Sequence, residues 1–233
     1  MIISKNIPIK RTFASIVFFV LAIYSYGQRG NRFPVWTFHE KDVDIHGISV
    51  GLLSTVVDER STNTNGIRLE LIGLGVFVPL IPDIPTFEEQ YSERINGLSL
   101  STLGTVGNCL VNGLSVGAFG QINYQVNGIS FALMMSVVGK VNGVAVAGIN
   151  YADSINGLQL GASNSGLKTK GVQIGFIGNE IKEMRGIQIG GYNRSGNLRG
   201  IQIGLWNVNQ KRKLPLINWN FRRTAKKEMN EQQ

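Results

Sequence analysis

Gly186-Ile187-Gln188-Ile189-Gly190 returns fourteen residues later as Gly200-Ile201-Gln202-Ile203-Gly204. Working back from it, the same pattern reads Gly171-Val172-Gln173-Ile174-Gly175 and Ile155-Asn156-Gly157-Leu158-Gln159-Leu160-Gly161. Earlier copies are Val141-Asn142-Gly143-Val144-Ala145-Val146, Val126-Asn127-Gly128-Ile129-Ser130-Phe131, Val111-Asn112-Gly113-Leu114-Ser115-Val116-Gly117 and Ile95-Asn96-Gly97-Leu98-Ser99-Leu100. The first glycines of successive copies lie 16, 15, 15, 14, 14, 15 and 14 residues apart. A fixed period of this kind marks a repeat architecture. Weaker copies start at Gly47 and Gly66, and Leu214 to Phe221 falls where one more is due.

Each copy alternates apolar and polar or small residues with period two, the signature of a β-strand. Turn formers follow the lead glycine by about seven residues, at Asn150, Asn164, Asn193 and Asn207, and mark a second corner. The preferred architecture is all-β, a β-solenoid in which each 14–16-residue copy is one coil and equivalent side chains stack in parallel ladders about 4.8 Å apart. Placing apolar residues inward gives two core ladders. One runs Leu98, Leu114, Ile129, Val144, Leu158, Val172, Ile187, Ile201, and the other Leu100, Val116, Phe131, Val146, Leu160, Ile174, Ile189, Ile203. Gln159, Gln173, Gln188 and Gln202 would then form an outward ladder, with Tyr192 and Trp206 exposed on the outward face, and these six are the candidate surface-contact residues. The alternative architecture is an outer-membrane antiparallel β-barrel with one strand per copy. Against it stand Glu180, Lys182, Glu183 and Arg185 within the would-be strands, because charge at the lipid midplane is costly.

Composition narrows the class. The 233 residues are 43% hydrophobic and 16% charged, which excludes a wholly disordered chain. Glycine, at 29 residues, exceeds the usual ~7%. One cysteine, Cys109, excludes an intrachain disulfide framework and a cysteine-cluster zinc site; it reads as a buried small apolar residue. Residues 1–27 read as a secretory signal: Lys5, Lys10 and Arg11 precede an apolar run from Thr12 to Tyr24, too short to span a bilayer, and Ser25-Tyr26-Gly27 offers a cleavage site. The net charge of +8 sits mostly in this segment and in the tail, while residues 28–209 are neutral. A nucleic-acid groove is therefore not indicated. Residues 210–233 carry 7 − 2 = +5 of the net charge, with contact to an anionic surface as the sharper reading, and 222–233 reads as a basic, disordered tail.

The expected organisation is a signal at 1–27, an N-terminal cap with irregular repeats and a Pro-rich insertion at 28–95, the β-repeat domain at 96–221, and the tail. The insertion centres on Val76 to Pro85; its three prolines forbid regular pairing, and it is expected to fold over and cap the open coil end.

The Gly-Ile-Gln-Ile-Gly and Asn-Gly repeats, the Ser25-Tyr26-Gly27-Gln28 region and the closing Leu214-Pro215-Leu216-Ile217-Asn218-Trp219 resemble the secreted surface repeat-containing proteins of Bacteroidetes and spirochaetes. The resemblance covers residues 96–221 well and 47–75 weakly. It implies envelope or surface placement and carries over no functional residues.

Chemistry has little to stand on. A polysaccharide-active β-helix enzyme needs acids converging on one face, and Asp153 is nearly alone in residues 96–179. Glu40, Asp42, Asp44 and His46 are spaced to share one strand face, which reads as a solvated face rather than a cation site. His39 and His46 lack zinc-ligand spacing. No catalytic residue, cofactor or metal is expected. The sequence reading is an exported, non-enzymatic envelope protein, at the cell surface, outer membrane or periplasm, with a structural or binding role through a repeated weakly polar face. Envelope glycan, lipopolysaccharide or another surface protein are the candidate partners; an outer-membrane barrel and then a polysaccharide-active enzyme are the alternatives.

Overall fold

The computed structural model describes residues 29–55, 60–81, 87 and 91–221. The expected signal, the tail from 222 onward and much of the insertion lie outside the described residues. The chain forms β1 (Gly30–Arg32), β2 (Val35–Thr37), β3 (Val43–Gly51), β4 (Thr62–Glu70), a 3₁₀ helix (Gly75–Leu80), β5 (Glu93–Ser101), β6 (Cys109–Gly117), β7 (Gly120–Ala132), β8 (Met135–Val146), β9 (Ile149–Val208) and β10 (Lys213–Asn220).

Neighbouring copies run parallel, one above the next. Gly47 stands opposite Gly66, Gly66 opposite Gly97, and the register continues through Gly113, Gly128, Gly143 and Gly157. Gly171, Gly186 and Gly200 prolong the column inside β9, which winds through several coils. This is a β-solenoid, not a barrel. The in-register stack begins at β3, so the weaker copies at Gly47 and Gly66 are full members of it.

The corner glycines are dictated by geometry. Gly186 has φ +137°, a region that side-chain-bearing residues rarely enter. A Cβ there would lie 1.9 Å from the carbonyl oxygen of Gly171 in the coil below. The tight coil thus needs glycine twice over, once for its dihedral and once for the stacking distance.

The alternation is as expected, but its polarity is reversed. Gln159, Gln173, Gln188 and Gln202 point inward and are fully buried, at 0% exposure. Both expected core ladders, Leu98 to Ile201 and Leu100 to Ile203, point outward, half-buried or exposed. The reason lies in the narrow cross-section of a fourteen-residue coil. Each Gln is flanked inward by glycines, as in Gly186-Gln188-Gly190, and its primary amide finds an identical partner one coil away. Burial of a polar group is tolerated when its hydrogen bonds are made, and the stack makes them.

Much of the apolar core lies two residues upstream of the corner glycines, although buried Thr64 and Thr169 hold that position before Gly66 and Gly171. Ile95, Val111, Val126, Val141 and Ile155 form one buried column, continued by Met184 and Leu198, which pack with Ile181. The 3₁₀ helix does not cap the coil end as expected. It lies against the side of the stack, where Val78 packs on Ile122 and Val137, and the Gly75 amide donates to the Gly104 carbonyl. At the C-terminal end β10 doubles back antiparallel to β9, with Trp219 opposite Ile201 and Ile217 opposite Ile203. Asn209 fixes this turn by accepting from the Lys211 and Arg212 amides. The sequence expectation of one further parallel copy from Leu214 is corrected by that reversal.

Candidate functional site

Two outward columns result from the inverted polarity. The first, immediately after the corner glycine, runs from Ile48 and Ile67 to Ile187 and Ile201; the second, two residues on, runs from Val50 and Leu69 to Ile189 and Ile203. Across ten coils both columns hold only Ile, Leu, Val and Phe. Ile217 and Trp219 extend the face on β10. At the strand spacing of a sheet the face is about 45 Å long, and two outward residues make it about 13 Å wide, roughly 600 Å². That is at the upper end for an exposed apolar patch on a monomeric protein, and patches of that size mark contact sites.

The corner beyond these columns is apolar and aromatic as well. Phe176 and Ile177 are followed one coil later by Tyr192 and then by Leu205 and Trp206, all exposed, Phe176 at 88% and Leu205 at 75%. Of the six expected surface-contact residues, Tyr192 and Trp206 are therefore exposed, whereas Gln159, Gln173, Gln188 and Gln202 are core. The outward face is apolar, not the weakly polar Gln face expected from the sequence.

Polar ladders lie behind this face and tie its coils together. Gln173 donates through Nε2 to Oε1 of Gln159 at 2.6 Å, Gln188 to Gln173 and Gln202 to Gln188 at 2.8 Å each. A second buried ladder donates the opposite way along the stack. Asn150 donates to Asn164, Asn164 to Asn179, Asn179 to Asn193 and Asn193 to Asn207, at 2.8–2.9 Å. These asparagines also donate to corner carbonyls, as Asn193 does to Ile203 O at 2.9 Å, so the expected second corner is real but inward-facing. A third ladder, Asn65, Asn96, Asn112, Asn127, Asn142 and Asn156, edges the outer surface just before the glycine column.

The wider N-terminal coils are filled differently. Arg68, fully buried, donates from Nε to Glu93 Oε1 at 2.9 Å, pairs with Glu70 Oε2 at 3.4 Å, bonds Ser54 Oγ and lies 4.1 Å from the centroid of the Phe38 ring. Glu70 in turn accepts from the Ser54 amide and the Thr105 hydroxyl. Burial opposes the charge on Arg68, but Glu93 and Glu70 outweigh it and hold the guanidinium above its ordinary range. Burial, followed by the Glu93 charge, pushes the Cys109 thiol up. The sequence does not single out this knot; its only trace there is Arg68 and Glu93 at positions whose parity matches core residues of other coils.

The carboxylates weighed for catalysis are dispersed or engaged. Asp44 and His46 share the outward face of β3, but Glu40 and Asp42 precede the strand, so the four do not form one strand face. Asp44 pairs with Arg29 at 3.0 Å and accepts from Asn63. Glu40 accepts from Arg32 and Trp36, and those bonds hold its carboxyl below the ordinary carboxylate range. Burial first, and the bond to Asp153 second, push the Tyr151 hydroxyl up to about 12. Among the described residues, no group of three or more His, Cys, Asp or Glu is arranged to hold a metal ion, and no helix is long and apolar enough to cross a membrane.

Comparison with protein-family models, curated proteins and solved structures finds no match to this chain.

Proposed function

We propose that this chain is a non-enzymatic repeat protein of the bacterial cell envelope, which works as a rigid rod presenting one long apolar face to a partner surface. The observation that carries the reading is the pair of outward columns, Ile48 to Ile201 and Val50 to Ile203, unbroken by any polar side chain over ten coils. Single exposed hydrophobics need no explanation, but a contiguous stripe does. The rigidity comes from the stacked Gln and Asn amides, which tie each coil to its neighbours. Export is supported by the secretory pattern of residues 1–27, and envelope placement by the resemblance of the Gly-Ile-Gln-Ile-Gly copies to surface repeat proteins.

Fractionation of expressing cells, combined with thiol labelling, tests the reading. Ile174→Cys and Ile189→Cys place thiols on the face, and the native Cys109 is buried and contributes little background. The expected result is recovery in the envelope fraction, with both introduced thiols shielded from a membrane-impermeant maleimide in place and labelled once the protein is purified. Equal labelling in both states, or recovery in the cytosol, would sink the proposal.

A further inference from the structure

We infer that the partner surface is an anionic phospholipid bilayer, on which the solenoid lies with its apolar face down and its C-terminal half leading; this rests on the reading of that face as the contact surface.

Charge is polarised along the rod. Residues 29–134 carry 6 Lys and Arg against 10 Asp and Glu, 6 − 10 = −4, and residues 135–221 carry 10 against 3, 10 − 3 = +7. The positive charge is placed at the rim of the face. Lys170, Arg185 and Arg199 occupy the outward position two residues before Val172, Ile187 and Ile201, where earlier coils carry the outer Asn ladder. Basic residues flanking an apolar surface are what an interfacial protein offers to acidic headgroups.

Exposed aromatic residues occur in both halves, Trp36 among them in the N-terminal one, but the C-terminal half carries two of the three tryptophans. Tyr192, Trp206 and Trp219 are exposed there, each an apolar ring with a polar edge, the type enriched at the boundary between headgroups and acyl chains. The backbone of the face is paired from coil to coil, so shallow entry into the acyl boundary leaves no peptide group in the interior of the face without a partner. A second copy laid antiparallel would set its acidic half against the basic half but leave the pair with a positive excess, 2 × (7 − 4) = +6; an acidic lipid surface neutralises it.

Flotation of the purified protein with vesicles tests this directly. The probes are phosphatidylcholine vesicles with and without phosphatidylglycerol at roughly three parts in ten, at low and high salt. Binding is expected to the phosphatidylglycerol vesicles, with weakening in salt and a blue shift of tryptophan emission. Two variants separate the components: Ile174→Gln with Ile189→Gln on the face, and Lys170→Glu with Arg185→Glu and Arg199→Glu on its rim. Each set is expected to lower partitioning at least about tenfold while circular dichroism and the melting midpoint stay within the range of the parent protein. If either set fails to fold, Ile189→Ser alone or Arg185→Gln alone takes its place, with a smaller loss expected. Equal binding to both vesicle types, binding indifferent to the Ile changes, or a stable dimer that ignores vesicles would overturn the inference. Shielding of Ile174→Cys and Ile189→Cys in the envelope without vesicle binding would overturn the lipid partner alone; no shielding would remove the contact face as well.

Discussion

Gln188 donates from Nε2 to Oε1 of Gln173 at 2.8 Å, and both side chains are completely buried. Ile187 and Ile189, its immediate neighbours in the chain, face solvent. The usual order of a protein interior is thus exchanged across a single strand. A primary amide can donate and accept at once, so an identical side chain in every coil satisfies both of its functions without water. The shape of the stack, rather than hydrophobicity, selects what goes inside.

The ladders end on unpaired atoms, and the direction of donation says which. Gln159 Nε2 has no partner because the residue below it in the column is Ala145. Ala145→Ser puts a hydroxyl acceptor there, as Ser130 has in the next coil down. The expected effect is stabilisation by about 1 kcal/mol, the net worth of one buried hydrogen bond. A denaturant midpoint checks it, and a midpoint lowered by the change would show that no acceptor can be reached.

Gly186→Ala is expected to disrupt its coil. The new methyl would meet the Gly171 carbonyl oxygen and hold φ near +137°, so steric and dihedral costs add. A loss of about 3 kcal/mol or more is expected, on the scale of the larger single-site effects. Gly191→Ala at the outer corner also sets a Cβ against a backbone oxygen, that of Ile177 at 2.8 Å, but has no positive φ, so only the steric cost applies and it should cost less. Melting both variants side by side separates the corner requirement from a general need for glycine.

Arg68→Met should be more harmful than its volume suggests. It leaves Glu93 and Glu70 buried with only the longer Arg60 contact, 3.9 Å from Glu93, to offset their charge. Removing one partner of a buried ion pair typically costs about 3–5 kcal/mol. Chemical unfolding of the variant measures this. A loss under about 1 kcal/mol would mean that the cluster relaxes or takes up water.

Cys109 should be inert in the folded protein. Its thiol is buried, and burial together with Glu93 disfavours the thiolate, the reactive form. A thiol pKa raised by folding contributes stability that is fully present below the unfolded value, about 8.5, and is lost as pH climbs past it. Slow reaction with iodoacetamide at neutral pH, and rapid reaction once denaturant is added, is the expected pattern.

Much of the fold is legible because period and alternation are properties of the chain alone. Eight glycines at a near-constant interval fix the coil, and Ile187-Gln188-Ile189 fixes which residues share a side. Which side faces in is not legible from the same pattern. The rule that apolar residues are buried is overruled only when stacked amides can pair, and that pairing exists between coils rather than within one. The reversal at β10 is hidden for a related reason. Ile217 and Trp219 alternate with Asn218 and Asn220 whichever way the strand runs. The Arg68 knot is obscured by long, uneven coils of 19 and 31 residues between Gly47, Gly66 and Gly97. Tyr192 and Trp206 are exposed, as the sequence reading has them, although the Gln face on which it placed them turns inward.

The inverted polarity is the claim on which the contact face depends, and two substitutions one residue apart test it most directly. Gln188→Leu adds apolar volume at a position that an ordinary core would welcome, but here it strips partners from Gln173 and Gln202. A loss of roughly 2–4 kcal/mol is expected from the two amide contacts broken. Ile189→Gln places a polar group where water already reaches and should change stability by less than about 1 kcal/mol. Equilibrium unfolding of the two variants beside the parent decides the matter. A tolerated Gln188→Leu with a damaging Ile189→Gln would contradict the account, because it would put the glutamines outside and the isoleucines in the core.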